Sequence, residues 1–114
     1  MKYALLAYSG GEGAEERAAG EIHPAIAAVL ERSAVTGWLR LHSAESATTL
    51  RREARRPLLT DGPFVDSKEF LGGLILIDAD DLDGALAVAA ELQELGFTAG
   101  IEVRPVLEQE LGGA

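Results

Sequence analysis

Apolar residues recur along the chain with two different spacings, and four segments have the pattern of β-strands. Lys2 to Tyr8 is a compact apolar run that ends in a glycine-rich stretch, as expected of a strand followed by a loop. A second strand is predicted to begin at Trp38. Glu69 to Asp78 predicts a long apolar strand, and Ile101 to Arg104 alternates as a final strand.

The first helix is predicted from Ile22 to Ser33, where apolar residues recur at the three- and four-residue spacing of one helix face. Pro24 suits its first turn, because an amide proton would be unpaired there in any case. Gly37 suits the C-cap, since glycine readily adopts the left-handed conformation that ends many helices.

The second helix is predicted from Asp81 to about Leu95, again from apolar residues that share one face. Asp80, with Asp83 three residues later, resembles a capping box that would open this helix. Gly96 follows the last turn and is predicted to cap its end.

A short, exposed hairpin is predicted between the two halves of the chain. Thr48-Thr49-Leu50 and Pro57-Leu58-Leu59 would form its arms, and the arginine-rich segment 51–56 would form a solvated tip. Strand, helix, glycine and strand follow one another once on each side of this hairpin. The order predicts an α+β fold, a ferredoxin-like split βαβ with an inserted short hairpin, as a single domain over residues 1–114.

Both faces of the predicted sheet are apolar, although two helices can cover only one of them. The opposing sets are Tyr3, Leu5 and Ala7 against Ala4, Leu6 and Tyr8, and Phe70, Leu74 and Leu76 against Leu71, Ile75 and Ile77. An uncovered apolar face of this size is unusual in a soluble protein. We therefore expect a homodimer that packs sheet against sheet.

The composition excludes several classes of function. The absence of cysteine removes disulfides, thiolate nucleophiles and sulfur-ligated metals. A net charge of −9 repels phosphate backbones and anionic lipids, and no aromatic residue is interleaved in segment 51–56 to stack on bases. No apolar run is long enough to span a bilayer, and the first residues lead directly into a strand. We expect a cytoplasmic protein without direct nucleic-acid or membrane partners.

Several short motifs, taken together, closely resemble the DGPF branch of the YCII-related proteins. They are Thr60-Asp61-Gly62-Pro63-Phe64, Lys68-Glu69, Leu71-Gly72-Gly73, Asp81-Leu82-Asp83, Ala47-Thr48-Thr49-Leu50-Arg51 and Glu102-Val103-Arg104-Pro105. The resemblance implies a homodimer that forms a dimeric α+β barrel, and relatives that include a proposed lyase or dehalogenase for lactone-like molecules. It also implies a link to extracytoplasmic-function sigma factors, one of which becomes a candidate partner.

The resemblance implies an acid–base pair that this chain does not reproduce residue for residue. In the wider YCII group, a histidine on the first helix and an aspartate after the second helix are the proposed pair. The position that resembles the histidine falls near Ile26, and His23 lies about one turn earlier. Phe97-Thr98-Ala99 stands where the aspartate would be.

Asp61, His23, Phe64 and Lys68 are the candidate site residues. Asp61 either forms an Asx-type turn with nearby backbone amides or acts as a base at the mouth of a pocket, beside the ring of Phe64. Lys68 either orients an anionic group or forms a surface ion pair. His23 is either a neutral base at a helix start or a partly buried surface residue, and His42, at a strand end, has less to support it.

No cofactor or metal site is predicted. Gly11-Glu12-Gly13 lacks the third glycine of a dinucleotide fingerprint, and the aspartates from Asp78 to Asp83 lack the glycine and glutamate of a calcium loop. We therefore expect a pocket for a small polar or anionic organic molecule. The protein is then either a cofactor-free acid–base enzyme of the lyase or isomerase kind or a non-catalytic sensor or adaptor.

Overall fold

The computed structural model describes residues 1–10, 22–64, 69–96 and 98–110. Within these ranges it contains six strands, two α-helices and one short 3₁₀ turn. In chain order they are β1 (Lys2–Gly10), α1 (Pro24–Leu30), β2 (Val35–Arg40), the 3₁₀ turn (Ala44–Ser46), β3 (Thr48–Glu53), β4 (Arg56–Asp61), β5 (Glu69–Asp78), α2 (Leu82–Glu94) and β6 (Gly100–Pro105).

The main sheet has four antiparallel strands in the order β2-β5-β1-β6. Strands β1 and β5 are central, and each half of the chain contributes one central and one edge strand joined through a helix. The α+β class is confirmed, and this strand order is consistent with the predicted ferredoxin-like split βαβ plan.

Both helices pack on one face of this sheet, where the core lies. Tyr3 and Leu5 of β1 and Ile77 of β5 are buried there against apolar side chains of the helices. The helix residues in this core are Val29 of α1 and Ala85, Ala89 and Leu92 of α2. Their three- and four-residue spacing on α2 explains why the periodicity predicted that helix. Leu5, Ile77 and Leu92 are fully buried, which stabilises the fold by roughly 1.5–3 kcal/mol for each side chain.

Helix α1 is shorter than predicted. His23 is its N-cap residue, and the His23 Nδ1 atom accepts a hydrogen bond of 3.1 Å from the Ala25 amide. The helix ends at Leu30, and Glu31 occupies the C-cap position. Gly37, which was expected to cap this helix, lies inside β2, because the chain returns to the sheet from Val35 onward.

Helix α2 begins one residue later than its predicted cap would place it. Asp81 rather than Asp80 is the N-cap, and Asp81 Oδ1 accepts a hydrogen bond of 2.9 Å from the Gly84 amide. Gly96 has a φ of +73°, which confirms that a left-handed glycine follows the helix. Glu91 of α2 forms an ion pair with Arg32, which follows α1. This pair lowers the pKa of the Glu91 carboxyl, and the largest cause is the hydrogen bond from Arg32.

The face of the sheet opposite the helices is apolar along its centre. Ala4, Leu6, Leu74 and Leu76 are all partly exposed there, and we call this surface the open face. Leu6 lies opposite Leu74 on one side and opposite Glu102 of the edge strand on the other. The centre of the open face is therefore hydrophobic, whereas its edge at β6 is charged.

A bulge interrupts the pairing of β1 with β5. Ala7 lies opposite Gly73, but the next residue, Tyr8, lies opposite Leu71, so Gly72 is the extra residue. A Cβ atom on Gly72 would lie 3.1 Å from Ser9 Oγ. The expectation that Leu71 shares a face with Ile75 is therefore wrong, because the bulge shifts the alternation by one residue.

Strands β3 and β4 form a separate two-stranded sheet, which confirms the predicted hairpin. The prediction of 51–56 as its tip is wrong, because residues 51–53 and 56 belong to the strands. Glu53 pairs with Arg56 across a two-residue turn at Ala54 and Arg55, where both φ angles are positive, +49° and +68°. Such turns match the twist of a hairpin. Every residue of β4 is exposed. Among the described residues, no helix is long and apolar enough to cross a membrane.

Candidate functional site

A cleft of about 1020 Å³ lies between one end of the main sheet and the base of the hairpin. The end of β1, the start of β5 and the start of β6 form one wall, and segments 41–49 and 63–64 form the other. Its aromatic residues are Tyr8, Phe64 and Phe70, its ionisable residues are His42, Glu69 and Glu102, and its hydroxyl residues are Ser43, Ser46, Thr48 and Thr49. The cleft therefore combines rings with hydrogen-bonding and proton-transferring groups.

His42 reaches the cleft because of how the chain leaves β2. The Leu41 amide donates a hydrogen bond of 2.8 Å to the Gly72 carbonyl, which ties this segment to the bulged part of β5. The chain then turns at once, since the Ser46 amide and hydroxyl both donate to the Ser43 carbonyl, at 3.0 and 2.7 Å. His42 is held between these two anchored points.

The Asp61-Gly62-Pro63-Phe64 turn is held against β3 by backbone and side-chain hydrogen bonds. The Gly62 amide donates to the Ala47 carbonyl at 2.8 Å, and the Thr49 hydroxyl donates to the Gly62 carbonyl at 2.7 Å. Gly62 has a φ of +100°, a conformation that side-chain-bearing residues rarely adopt. This backbone conformation explains why the motif has a glycine at position 62.

Arg51 fixes the last residue of the turn. Its Nη2 atom donates a hydrogen bond of 3.1 Å to the Phe64 carbonyl, and its guanidinium lies 4.4 Å from the centroid of the Phe64 ring. Arg51 therefore holds Phe64 by both its backbone and its ring, and Phe64 is placed in the wall of the cleft.

The structure brings one of the four predicted site residues to this cleft. Phe64 lines it, whereas Asp61 and His23 do not belong to its described lining. The Asp61 carboxylate is exposed and forms no hydrogen bond with any described residue, so no Asx-type turn forms among the residues that the structure describes here. His23 is exposed and caps α1. Lys68 lies outside the described residues, and the acid–base roles of Asp61 and His23 stay predictions.

Sequence reasoning missed the cleft groups that come from distant parts of the chain. Tyr8, His42 and Glu102 lie on β1, after β2 and on β6, and only the strand order places them together. A signal was available for His42, because it lies in the segment between the second strand and the hairpin, and such connecting segments often carry functional residues.

Glu69 and Glu102 are the acidic side chains in the described lining of the cleft, and His42 is its imidazole. Glu102 Oε2 lies 3.5 Å from Arg104 Nε on the same strand, in an exposed ion pair. Among the residues that the structure describes, no group of three or more histidine, aspartate or glutamate side chains could hold a metal ion.

Comparison with known proteins finds one matching family model and one curated relative. The model of the YCII-related domain matches residues 1–110. An uncharacterized protein of Rhizobium meliloti (strain 1021) is 32% identical over an alignment 114 positions long, which covers 93% of this chain and 92% of that protein. The similarity thus extends over the main sheet, the helices and the hairpin.

Proposed function

The chain belongs to the YCII-related domain family, and from that premise we propose that it is a homodimer that binds a small polar organic molecule in the cleft and transforms it by proton transfer. The observation that carries this proposal is the composition of the cleft. An imidazole, a phenol and two carboxylates lie beside aromatic rings in a single concavity.

The proposed chemistry needs groups that exchange protons, and the cleft contains them. An imidazole both accepts and donates protons near neutral pH, and carboxylates and phenols serve as its partners. His42 is the proposed base, and Tyr8 is the proposed hydrogen-bond donor to the substrate. The four hydroxyl side chains between Ser43 and Thr49 would orient polar groups of the ligand.

The proposed dimer rests on the open face. The helices cover the opposite face, and the half-buried leucines of β1 and β5 leave a continuous apolar strip on this one. Pairing two such strips about a twofold axis removes both from water and gives the dimeric barrel that the fold class allows.

The experiment is a thermal-shift screen of small metabolites with the dimeric protein, followed by turnover assays on each hit. His42→Asn and His23→Asn form a matched pair, because asparagine is also a good N-cap and keeps α1 intact at position 23. We expect His42→Asn to abolish turnover while the melting temperature is retained, and His23→Asn to leave turnover unchanged.

Asp61→Asn tests the competing location of the site at the turn. The Asp61 carboxylate forms no hydrogen bond with the described residues, so the amide should preserve both the fold and cleft activity. If turnover instead depends on Asp61 and His23 and survives in His42→Asn, the cleft proposal is wrong. Binding of a hit without turnover by the parent would support a non-catalytic sensor.

A further inference from the structure

We infer that the β3–β4 hairpin is an arm that docks on a second copy of this chain, through the face formed by Leu50, Arg52, Pro57 and Leu59. We call these four residues the docking face. The inference rests on the proposed homodimer but goes beyond it, because it assigns part of the interface to an element outside the main sheet.

The hairpin has little support from its own chain. Its strands pair only with each other, and a two-stranded hairpin alone is marginally stable in water. Neither strand has more than weak contact with the main sheet or with the two helices. The described core therefore leaves most of the hairpin surface free to pack against a partner.

The two faces of the hairpin differ in how they are covered. On one face, the Arg51 side chain stacks on Phe64. On the docking face, Leu50 and Leu59 lie directly opposite each other and are 64% and 69% exposed. Single exposed leucines are common, but a cross-strand pair forms a contiguous apolar patch, next to Pro57, which pairs with Arg52.

The charge of the hairpin selects a second copy as the partner. Residues 51–56 contain four arginines and one glutamate, a net charge of +3, so the remaining residues carry −12 and the whole chain −9. Arg52 belongs to the docking face and Arg55 to the turn, whereas Arg51 and Arg56 lie on the opposite face. A basic arm and an acidic body on the same chain are complementary to each other in a twofold pair, where each copy offers both. No external acidic partner is needed to explain the patch.

Sedimentation equilibrium on the full chain tests the arm. Leu50→Ser/Leu59→Ser removes the apolar pair, and Leu82→Ser/Leu86→Ser is the matched control, since these leucines of α2 lie one turn apart and are 47% and 45% exposed. We expect the hairpin variant to raise the dimer dissociation constant by at least about tenfold and the control to change it by less than about twofold.

A charge variant keeps the test valid if the serine variant unfolds. Arg52→Glu/Arg55→Glu reverses a charge on the docking face and one in the turn without altering the Glu53–Arg56 pair. It should weaken the dimer by at least about tenfold at low salt, and added salt should reduce the difference from the parent. A monomeric parent would overturn the homodimer and the arm together. If the parent is a dimer and both hairpin variants keep its dissociation constant, the arm proposal alone is overturned. The arm proposal is also overturned if the parent binds DNA in a salt-sensitive way and the charge variant does not bind it.

Discussion

Replacing Arg51 by methionine should release the Asp61-Gly62-Pro63-Phe64 turn without unfolding the core. Methionine keeps an unbranched apolar stem but removes the guanidinium that stacks on Phe64 and donates to its carbonyl. An exposed cation–π contact contributes about 0.5–1 kcal/mol, and a hydrogen bond of this kind contributes about 0.5–1.5 kcal/mol net. The anchored turn should therefore lose roughly 1–2.5 kcal/mol relative to its released form.

That loss corresponds to an increase of about fivefold to seventyfold in the population of the released turn. The Gly62 amide reports it, because its hydrogen bond to the Ala47 carbonyl breaks when the turn leaves β3. Amide hydrogen exchange at Gly62 should accelerate by this factor, while amides of the buried part of β1 exchange at the parent rate.

Arg52→Met is the matched control, since Arg52 is the next residue of β3 and its side chain lies on the other face of the hairpin. It removes the same charge without touching Phe64. Equal exchange rates at Gly62 in Arg51→Met and the parent would refute the clamp. Equal acceleration in both variants would attribute the effect to net charge instead.

Three further predictions concern the folded core and its edges. Leu92→Ala should lower the free energy of unfolding by about 2–5 kcal/mol in denaturant titrations, because Leu92 is fully buried, and a smaller loss would mean that the helices close over the cavity. Thr98→Val should cost about 1–2 kcal/mol, because the buried Thr98 hydroxyl bonds the Tyr8 and Gly100 carbonyls, whereas Thr98→Ser should retain most of the stability. The pKa of the Glu91 carboxyl is lowered in the folded state. The stability that Glu91 contributes is therefore present above its pKa in the unfolded chain, and it is lost as the pH falls through its pKa in the folded protein. Glu91→Gln should therefore melt below the parent at neutral pH and match it in acid, and a difference that persists in acid would contradict the ion-pair explanation.

Much of the fold follows from the sequence because its signals are local. The long apolar run predicted β5 with the bounds that the structure shows, and the helical period predicted α2 to within one residue at each end. Cap positions were less certain, since Asp80 and Asp81 are both suitable residues and only packing on the sheet decides which one opens the helix. Gly37 was misassigned because a glycine between a helix and a strand fits either element.

The site was harder to predict because it depends on contacts between distant segments. Phe64 was identified from its motif, and it does line the cleft. The partners of Phe64 there come from β1, β5 and β6, and no local pattern shows which strand ends are neighbours. The position of Asp61 could not be predicted for the same reason, because the sequence of a short, exposed hairpin does not show which of its side chains face a neighbouring cleft.

The bulge at Gly72 has a consequence for how the chain can vary in length. In most of β1 and β5, losing or gaining one residue would exchange the buried and exposed sets along the rest of the strand. Gly72 is different, since Tyr8 already lies opposite Leu71 and Ala7 opposite Gly73, so Gly72 has no partner on β1. Deleting this glycine would remove its hydrogen bond with the Leu41 amide but would join two segments that are already in register with β1. Natural or engineered versions of this sheet that are one residue shorter should therefore differ from it at this position.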